Sequence, residues 1–560
     1  MKKIVTLFAC SMTIGLSAQV HVDVLDPPDL IGSYTNTWAD PVVDQWATPD
    51  MNDPINRVIE TVVLAYDGSE ADSLCCEAIV NPNEVNGHIA LVYRGDCTFI
   101  QKSVNAQAAG AVAIVMISNS PDPLIQLGGS VIGNDVTIPV FLITQADGAL
   151  IRASLDAGNT VQMLLGNKNG YYENDLGMWN TDIIRPKLGA TPQWLTTDQG
   201  DYSVPLGVFV QNYGSLNDPG STLRAVITHD GNTLYDETVS VDAIASGARA
   251  FAGLPDFAEP NLSGDYLLTY TIEGNGELSP GDNTYEVPFS FGDKAAPVPL
   301  NPATGVPSPT LSIQPAAGSS DFESCIVLKD PHASRLGVVG VHFYGTKNEG
   351  SMFDEFVFGR VYRWDDTFTD FNDAAFTNVQ QIAQVEYFIP DTGTAVQSYI
   401  PFTDPVVLED DVRYLVCANV LNAEIFIGAN ENDVFDANFE QGGQPVQAYR
   451  LDAQWILGFT GNQTTTVAAN TVELSSIGIQ ERAIVEVSPY PNPTTGIFKI
   501  PMKGFGTSVI TIRDAAGRTV STHKTSDELY TLDLRGEDAG VYVVEIQSAK
   551  GRTVGRLVLE

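Results

Sequence analysis

Between residues 58 and 165 the chain alternates short apolar runs with amphipathic stretches. His88 to Tyr93 reads as a strand, and Phe99 to Ala109 as a helix with Ile100, Val104 and Ala108 on one face. Gly110 sits where a helix stop belongs, and Ala111 to Ile117 is an almost wholly apolar strand. Strand, crossover helix and fully apolar strand together predict a βαβ unit with a buried parallel pair. Thr137 to Thr144 follows as another strand with Pro139 near its start. Thr144 with Asp147 opens a helix over 145–156, which Gly158 ends.

From 180 to 292 the helical period vanishes. Leu206–Gln211, Leu223–Thr228, Leu234–Val241, Tyr266–Ile272 and Tyr285–Phe291 read as short strands, with Asp230-Gly231 as the hairpin turn between the second and third. This spacing predicts a β-sandwich. Residues 293–310 hold five prolines and read as a stiff, extended linker. A further strand-rich region spans 311–475, with aromatic strands at Val338–Tyr344, Phe356–Trp364 and Val412–Val420. A last small domain occupies 484–560. Residues 20–57, rich in Pro, Asp and Asn, read as an irregular lead-in. The expected fold class is therefore multidomain and mainly β: one α/β domain, then immunoglobulin-like and jelly-roll-like sandwiches, then a terminal β-sandwich.

The ends change the picture. Met1-Lys2-Lys3, an apolar run from Ile4 to Leu16 and Ser17-Ala18-Gln19 have the layout of a signal peptide over 1–19. Nothing later reaches the ~20 apolar residues of a spanning helix. Export permits disulfides among Cys75, Cys76, Cys97, Cys325 and Cys417, with one thiol left over. Net charge is −40. Residues 481–560 are balanced in charge, so the whole excess lies before them. That field argues against nucleic acid and anionic membrane as partners and suits solubility, a salty medium or calcium. No EF-hand loop is present, so Ca2+ is the one cofactor the composition suggests, without a motif to hold it.

Two ordered motif sets resemble known families. Cys76, Gly87-His88-Ile89-Ala90-Leu91-Val92, Arg94-Gly95-Asp96-Cys97-Thr98-Phe99, Lys102, Ala106-Gln107-Ala108-Ala109-Gly110-Ala111 and Ile138-Pro139-Val140 resemble the protease-associated (PA) domain. That resemblance implies a non-catalytic module concerned with substrate access or protein contacts. It also implies a disulfide from Cys97 to Cys76, with Cys75 the competing partner. Tyr490-Pro491-Asn492-Pro493-Thr494-Thr495-Gly496, then Val509 to Arg518 with Gly517 at its turn, Leu532-Asp533-Leu534 and Gly540-Val541-Tyr542 resemble the type A C-terminal sorting domain of the type IX secretion system. Arg556 departs from the lysine common there. The resemblance implies handling by the type IX machinery, export through the outer membrane, removal of this domain and display at the cell surface. Between the two, Val208-Phe209-Val210-Gln211-Asn212-Tyr213-Gly214, Gly264-Asp265-Tyr266 and Asp282-Asn283 resemble CARDB-type immunoglobulin-like domains, which implies a spacer or adhesion module.

Residues 311–475 resemble no family that we name; Cys325 and Cys417, the two cysteines of that region, are expected to pair. No His-Glu-x-x-His helix and no Gly-x-Ser-x-Gly elbow occur. His332 and His342, ten apart near Asp330, read as strand-end histidines more readily than as a metal pair. Glycoside hydrolysis needs only two placed carboxylates. Asp365, Asp366, Asp370 and Asp373 cluster after Tyr362 and Trp364, so Tyr362, Trp364, Asp365 and Asp366 form the candidate ligand surface; Trp455 is a second candidate ring. The expected function is a secreted, surface-anchored, non-catalytic protein that binds extracellular protein or polysaccharide. An extracellular hydrolase with its site in 311–475 and a structural stalk are the alternatives.

Overall fold

The computed structural model describes residues 20–42, 46–70, 72–120, 124–125, 127–128, 135–313, 321–457, 463–474, 487–503, 505–548 and 551–560. The expected signal peptide and Cys10 lie outside them. The chain divides into two compact units, Met1–Glu473 and Leu474–Glu560.

The first unit opens with an eight-stranded sheet. Its strands are β1 (Val20–Asp26), β2 (Gly32–Ser33), β3 (Asn36–Trp38), β4 (Val58–Leu64), β5 (Ile89–Tyr93), β6 (Ala113–Ile117), β7 (Val140–Ile143) and β8 (Gln162–Asn167), in the order β2-β1-β8-β4-β5-β6-β7-β3. Strands β4 to β7 run parallel. Helix α1 (Pro82–Val85) is a single turn, α2 (Phe99–Ala108) is the crossover from β5 to β6, and α3 (Gln145–Asp156) leads from β7 to the antiparallel β8. All five residues of β6 are buried, as an apolar strand covered on both faces must be. Alternation along β6 sends Ile114 and Met116 to the core that holds Ile100 and Ala106 of α2. Val115 and Ile117 go to the core that holds Ile151 of α3. Thr98 and Thr144 cap the two helices, accepting from Gln101 N at 3.2 Å and Asp147 N at 3.1 Å. Gly148 packs against β6 so closely that a Cβ there would lie 2.3 Å from Ile117 Cγ2.

Residues 20–57 are not merely a lead-in. β1 pairs antiparallel with β8, with Val22 opposite Leu165. The apolar alternation of Val20, Val22 and Val24 is obscured because the intervening His21 and Asp23 are buried too.

The sandwich follows. Five strands lie in the order β10-β16-β15-β12-β13 and three in the order β14-β11-β9. They are β9 (Leu176–Gly177), β10 (Ala190–Pro192), β11 (Val204–Asn212), β12 (Ser221–His229), β13 (Asn232–Val241), β14 (Arg249–Phe257), β15 (Gly264–Glu273) and β16 (Thr284–Gly292). Val208, Leu223, Ile227, Leu268 and Tyr270 fill the core between them. Asp230 (φ 50°) and Gly231 (φ 75°) make the β12–β13 hairpin turn. β14 breaks the apolar alternation, with Phe251 exposed beside Gly253, Pro255 and Asp256 and only Ala252, Leu254 and Phe257 buried.

Residues 293–310 are no free linker. Lys294–Ala295 pairs with strand Ala468–Glu473, Ala296 bridges Ala190, and Val298 is buried. Proline removes donors, but the alanines and valine between still pack inward. Two sheets of seven and six strands then enclose one core containing Phe343, Val361, Ile400, Val416 and Tyr449.

The second unit pairs Ile497–Pro501 with Leu529–Asp533 and builds a four-stranded sheet from Ser508–Asp514, Thr519–Thr525, Gly540–Ser548 and Gly551–Leu559. Phe498, Ile512, Val544 and Leu557 form its core.

Candidate functional site

In an open parallel sheet, crevices form beyond the carboxyl ends of the strands, where the chain must turn into a helix. Here β5 ends at Tyr93 and α2 begins at Phe99. The turn between them, Arg94 to Thr98, lines an open cavity of 510 Å³ with Phe99, Ile100, Asn119 and Gly128. Arg94 is the one cation among these lining residues; its guanidinium carbon lies 5.9 Å from the centre of the Phe99 ring. Asp96 takes φ 36°, held by the Cys76–Cys97 disulfide on its next residue. The segment before that bridge is pinned from below. The buried Lys102 ammonium donates to Leu74 O at 2.6 Å, and Asn105 Nδ2 donates to Cys75 O at 3.0 Å. Burial lowers the Lys102 value, and burial together with the Asp67 charge pushes the Cys75 thiol up to about 12. Cys75 is thus the free thiol of the pair that the sequence left open. The cavity offers a cation, a ring face, an amide, a hydroxyl and a carboxylate. Among the described residues that line it there is no serine, cysteine thiol or histidine.

Comparison with known proteins decides what this turn belongs to. Residues 58–151 match the PA domain, and residues 488–560 match the secretion system C-terminal sorting domain. The chain carries a PA domain and a sorting domain. Human ER degradation-enhancing alpha-mannosidase-like protein 3 is 33% identical over 162 residues, 28% of this chain and 17% of that protein. Aminopeptidase YwaD of Bacillus subtilis (strain 168) is 39% identical over 74 residues, 13% of this chain and 16% of its own length. The chain thus spans under a fifth of each. Among solved structures, a CARDB domain from Pyrococcus furiosus is 18% identical, covering 22% of this chain and 91% of that one at a TM-score of 0.17. The sorting domain marks the protein for export through the outer membrane to the cell surface or extracellular space. Among the described residues no helix is long and apolar enough to cross a membrane.

Within the sorting domain, the motif residues stitch the ends of the unit together. Asn492, between Pro491 and Pro493, donates to Arg556 O at 2.7 Å and accepts from Val558 N at 2.8 Å. Gly496 packs against Arg535, Gly517 (φ 79°) closes the Asp514–Arg518 turn, and Gly540 begins the strand in which Tyr542 donates to Asp538 O at 2.6 Å.

The other candidate residues lie elsewhere. Cys325 and Cys417, opposite each other on adjacent strands, form the second disulfide. Glu323 lies beside them, close enough for a metal-like trio, but the disulfide consumes both sulfurs. Glu323 instead accepts from Arg450 Nε at 2.7 Å and Tyr362 OH at 3.0 Å.

The ligand surface expected at Tyr362 and Trp364 must be corrected: they are 5% and 1% exposed. The outer face of their sheet is covered by Phe368, Phe376 and Trp455, so both faces of the strand are buried. Trp364 Nε1 donates to Asp366 Oδ2 at 3.0 Å, and the same carboxylate accepts from Thr377 N and Asn378 N. Asp365 pairs with Arg363, and Asp370 caps a turn at Asn372 N. These acids close a loop. His332 pairs with Asp201, whereas the His342 ring packs tilted against Tyr399.

Sequence reasoning missed a buried cluster of Lys168 with Asp23, Asp175 and Asp282. Its members are scattered from residue 23 to residue 282, each reading alone as a surface charge.

Proposed function

We propose that this secreted surface protein is a binding protein without catalytic activity of its own, and that its PA cavity receives an extended segment of an extracellular protein. The observation that carries the reading is the composition of the cavity. Arg94 and Phe99 offer charge and ring contact to a backbone or side chain, on a turn fixed by a disulfide and a buried lysine, and the Asp96 carboxylate and Thr98 hydroxyl add polar contacts beside them. Pre-organisation of this kind lowers the ordering cost of binding. The relatives named as a mannosidase-like protein and an aminopeptidase match over 28% and 13% of this chain and under a fifth of their own length, so their chemistry is not carried over to it. Removal of the sorting domain after export, and attachment of the remainder to the surface, complete the proposal.

The test uses the mature chain immobilised against a panel of extracellular proteins and polysaccharides. Retention of a protein that falls at least tenfold in Arg94→Ala and Phe99→Ala supports the reading. Retention of polysaccharide alone, unaffected by either change, moves the site away from the PA cavity. New amine or reducing ends appearing in the panel would make the protein a hydrolase and overturn it.

A further inference from the structure

At the end of β8, where the PA sheet hands the chain to the sandwich, four segments converge on one ammonium. Lys168 is fully buried. Its Nζ donates to Asp175 Oδ1 at 2.8 Å and to Ser279 Oγ at 3.3 Å, and lies 4.8 Å from the centre of the Tyr213 ring. Asp282 Oδ2 stands 2.9 Å from the same nitrogen without hydrogen-bond alignment. Asp175, Asp282 and Asp23 are each more than nine-tenths buried, and each leaves at least one carboxylate oxygen without a hydrogen bond. His21 and Asp23 face the site from β1, Asp175 from the segment before β9, Asp282 from the turn before β16, and Tyr213 from the end of β11. One cation thus serves three carboxylates in a place that water does not reach.

Burial disfavours every charge in such a cluster. It pushes Asp175 up to about 7 and Asp282 up to about 6, against the pull of Lys168. Burial also works to strip Nζ of its proton, but the carboxylates hold the Lys168 value above its ordinary range. The ammonium is therefore the resting form; passage of one proton along the hydrogen bond already made to Asp175 is the route to a neutral amine held against the carboxyl group of Asp282.

We propose that Lys168 and Asp282 condense into an intramolecular amide, with Asp175 as the proton carrier. Asp175 takes one proton from the ammonium, and Nζ attacks Cγ of Asp282. Asp175 returns that proton to the departing oxygen, and the second proton lost from nitrogen completes a water molecule. The Nζ–Cγ bond forms and one Cγ–O bond breaks. An ammonium and a carboxylate become an amide and water, with no change in net charge and no oxidant, reductant or co-reactant. Two considerations drive the step. Groups fixed in contact react at effective molarities of about 10⁵–10⁸ M, and the amide removes a buried ion pair whose desolvation opposes folding. The product ties the last turn of the PA sheet to the entry of β16, so that pull on the sandwich reaches the PA domain through a covalent bond.

The test is the intact mass of the full mature chain after reduction and alkylation, followed by peptide mapping. The expected mass is one water below that of the sequence, with one branched peptide joining the segments of Lys168 and Asp282. Lys168→Arg and Asp282→Ala restore the uncondensed mass. Asp282→Asn keeps an electrophile and releases ammonia instead, giving the wild-type product mass. Asp175→Asn lowers the cross-linked fraction at least tenfold. A wild-type chain at full mass with an unmodified Lys168 peptide overturns the proposal. So does a water loss that maps within a single peptide, as a succinimide would, or one that joins Lys168 to Asp175.

Discussion

Arg185 joins the sandwich to the strand-rich region that follows, and its loss tests whether the two form one body. Its side chain is 3% exposed, with Nη1 2.9 Å from Asp433 Oδ1. Nη2 donates to Tyr285 OH and to Asn432 O, both at 3.0 Å. The backbone is tied on both sides by Asn438, which accepts from Arg185 N at 3.1 Å and donates to Arg185 O at 2.9 Å. Arg185→Met keeps most of the apolar bulk and removes the charge, leaving the Asp433 carboxylate buried without its cation. Breaking a buried pair from one side costs about 3–5 kcal/mol. Asp433 is 17% exposed, so the lower end applies. At about 2.1 cal/mol/K per residue over roughly 290 residues melting together, the entropy of unfolding is roughly 0.6 kcal/mol/K, and 3 kcal/mol becomes about 5 °C. Burial raises the Asp433 value, with Arg185 opposing it; without Arg185 the rise is larger. A carboxylate whose folded value lies above its unfolded value stabilises at low pH, and that contribution is lost as pH rises. The loss in Tm should therefore be greater at pH 8 than at pH 5, by calorimetry at both. Because the cost is that of an uncompensated charge, Arg185→Met with Asp433→Leu should regain more than half of it. A loss under about 1.5 °C, or one identical at the two pH values, refutes the reasoning.

Three further outcomes are expected. His342 is driven down to about 4 by burial, then by the charge of Lys294. Its folded value thus lies below the unfolded one, so its contribution is lost as pH falls from about 6.5 towards 4; thermal melts of His342→Gln should show a flatter acid limb than wild type. Cys75, buried and with its thiol pushed up to about 12, should react with iodoacetamide at pH 8 at least tenfold more slowly in the native protein than in urea, since the thiolate is the nucleophile; equal rates by mass spectrometry would contradict the packing around Lys102. Deleting residues 484–560 should leave the melting of the first unit within about 1 °C of its value in the full chain, because the two units are separately compact, while immunolabelling finds the protein in the periplasm instead of at the surface.

The parts of this molecule that were legible in its sequence are those fixed by near neighbours. The βαβ unit could be read from β5 to β6 because a wholly apolar strand, an amphipathic helix and a glycine stop lie within thirty residues; the cavity where β5 turns into α2 was not read, because its lining joins that turn to Asn119 and Gly128. The Asp230-Gly231 turn is likewise local. What stayed hidden is what distant residues do to one another. Tyr362 and Trp364 alternate as strand residues do, yet alternation cannot say that Phe376 and Trp455 will close over the outer face. β1 read as irregular because His21 and Asp23 are polar, yet both are buried, with the charge of Lys168, just after β8, acting on each. Prolines at 297, 299 and 302 suggested a stiff, extended linker, but Lys294–Ala295 adds a strand to a sheet through Ala468–Glu473. In the last two cases a polar residue or a proline gave the correct local preference, and burial elsewhere reversed its meaning. The functional consequence is that the PA cavity does not hang on a flexible stalk. Arg185 to Asp433, Arg249 to Glu440 and Arg335 to Asp201 cross between the sandwich and the region after it, and the Lys168 cluster crosses between the PA sheet and the sandwich. The partner proposed for Arg94 would therefore meet one compact unit, held together by ion pairs that no stretch of sequence contains by itself.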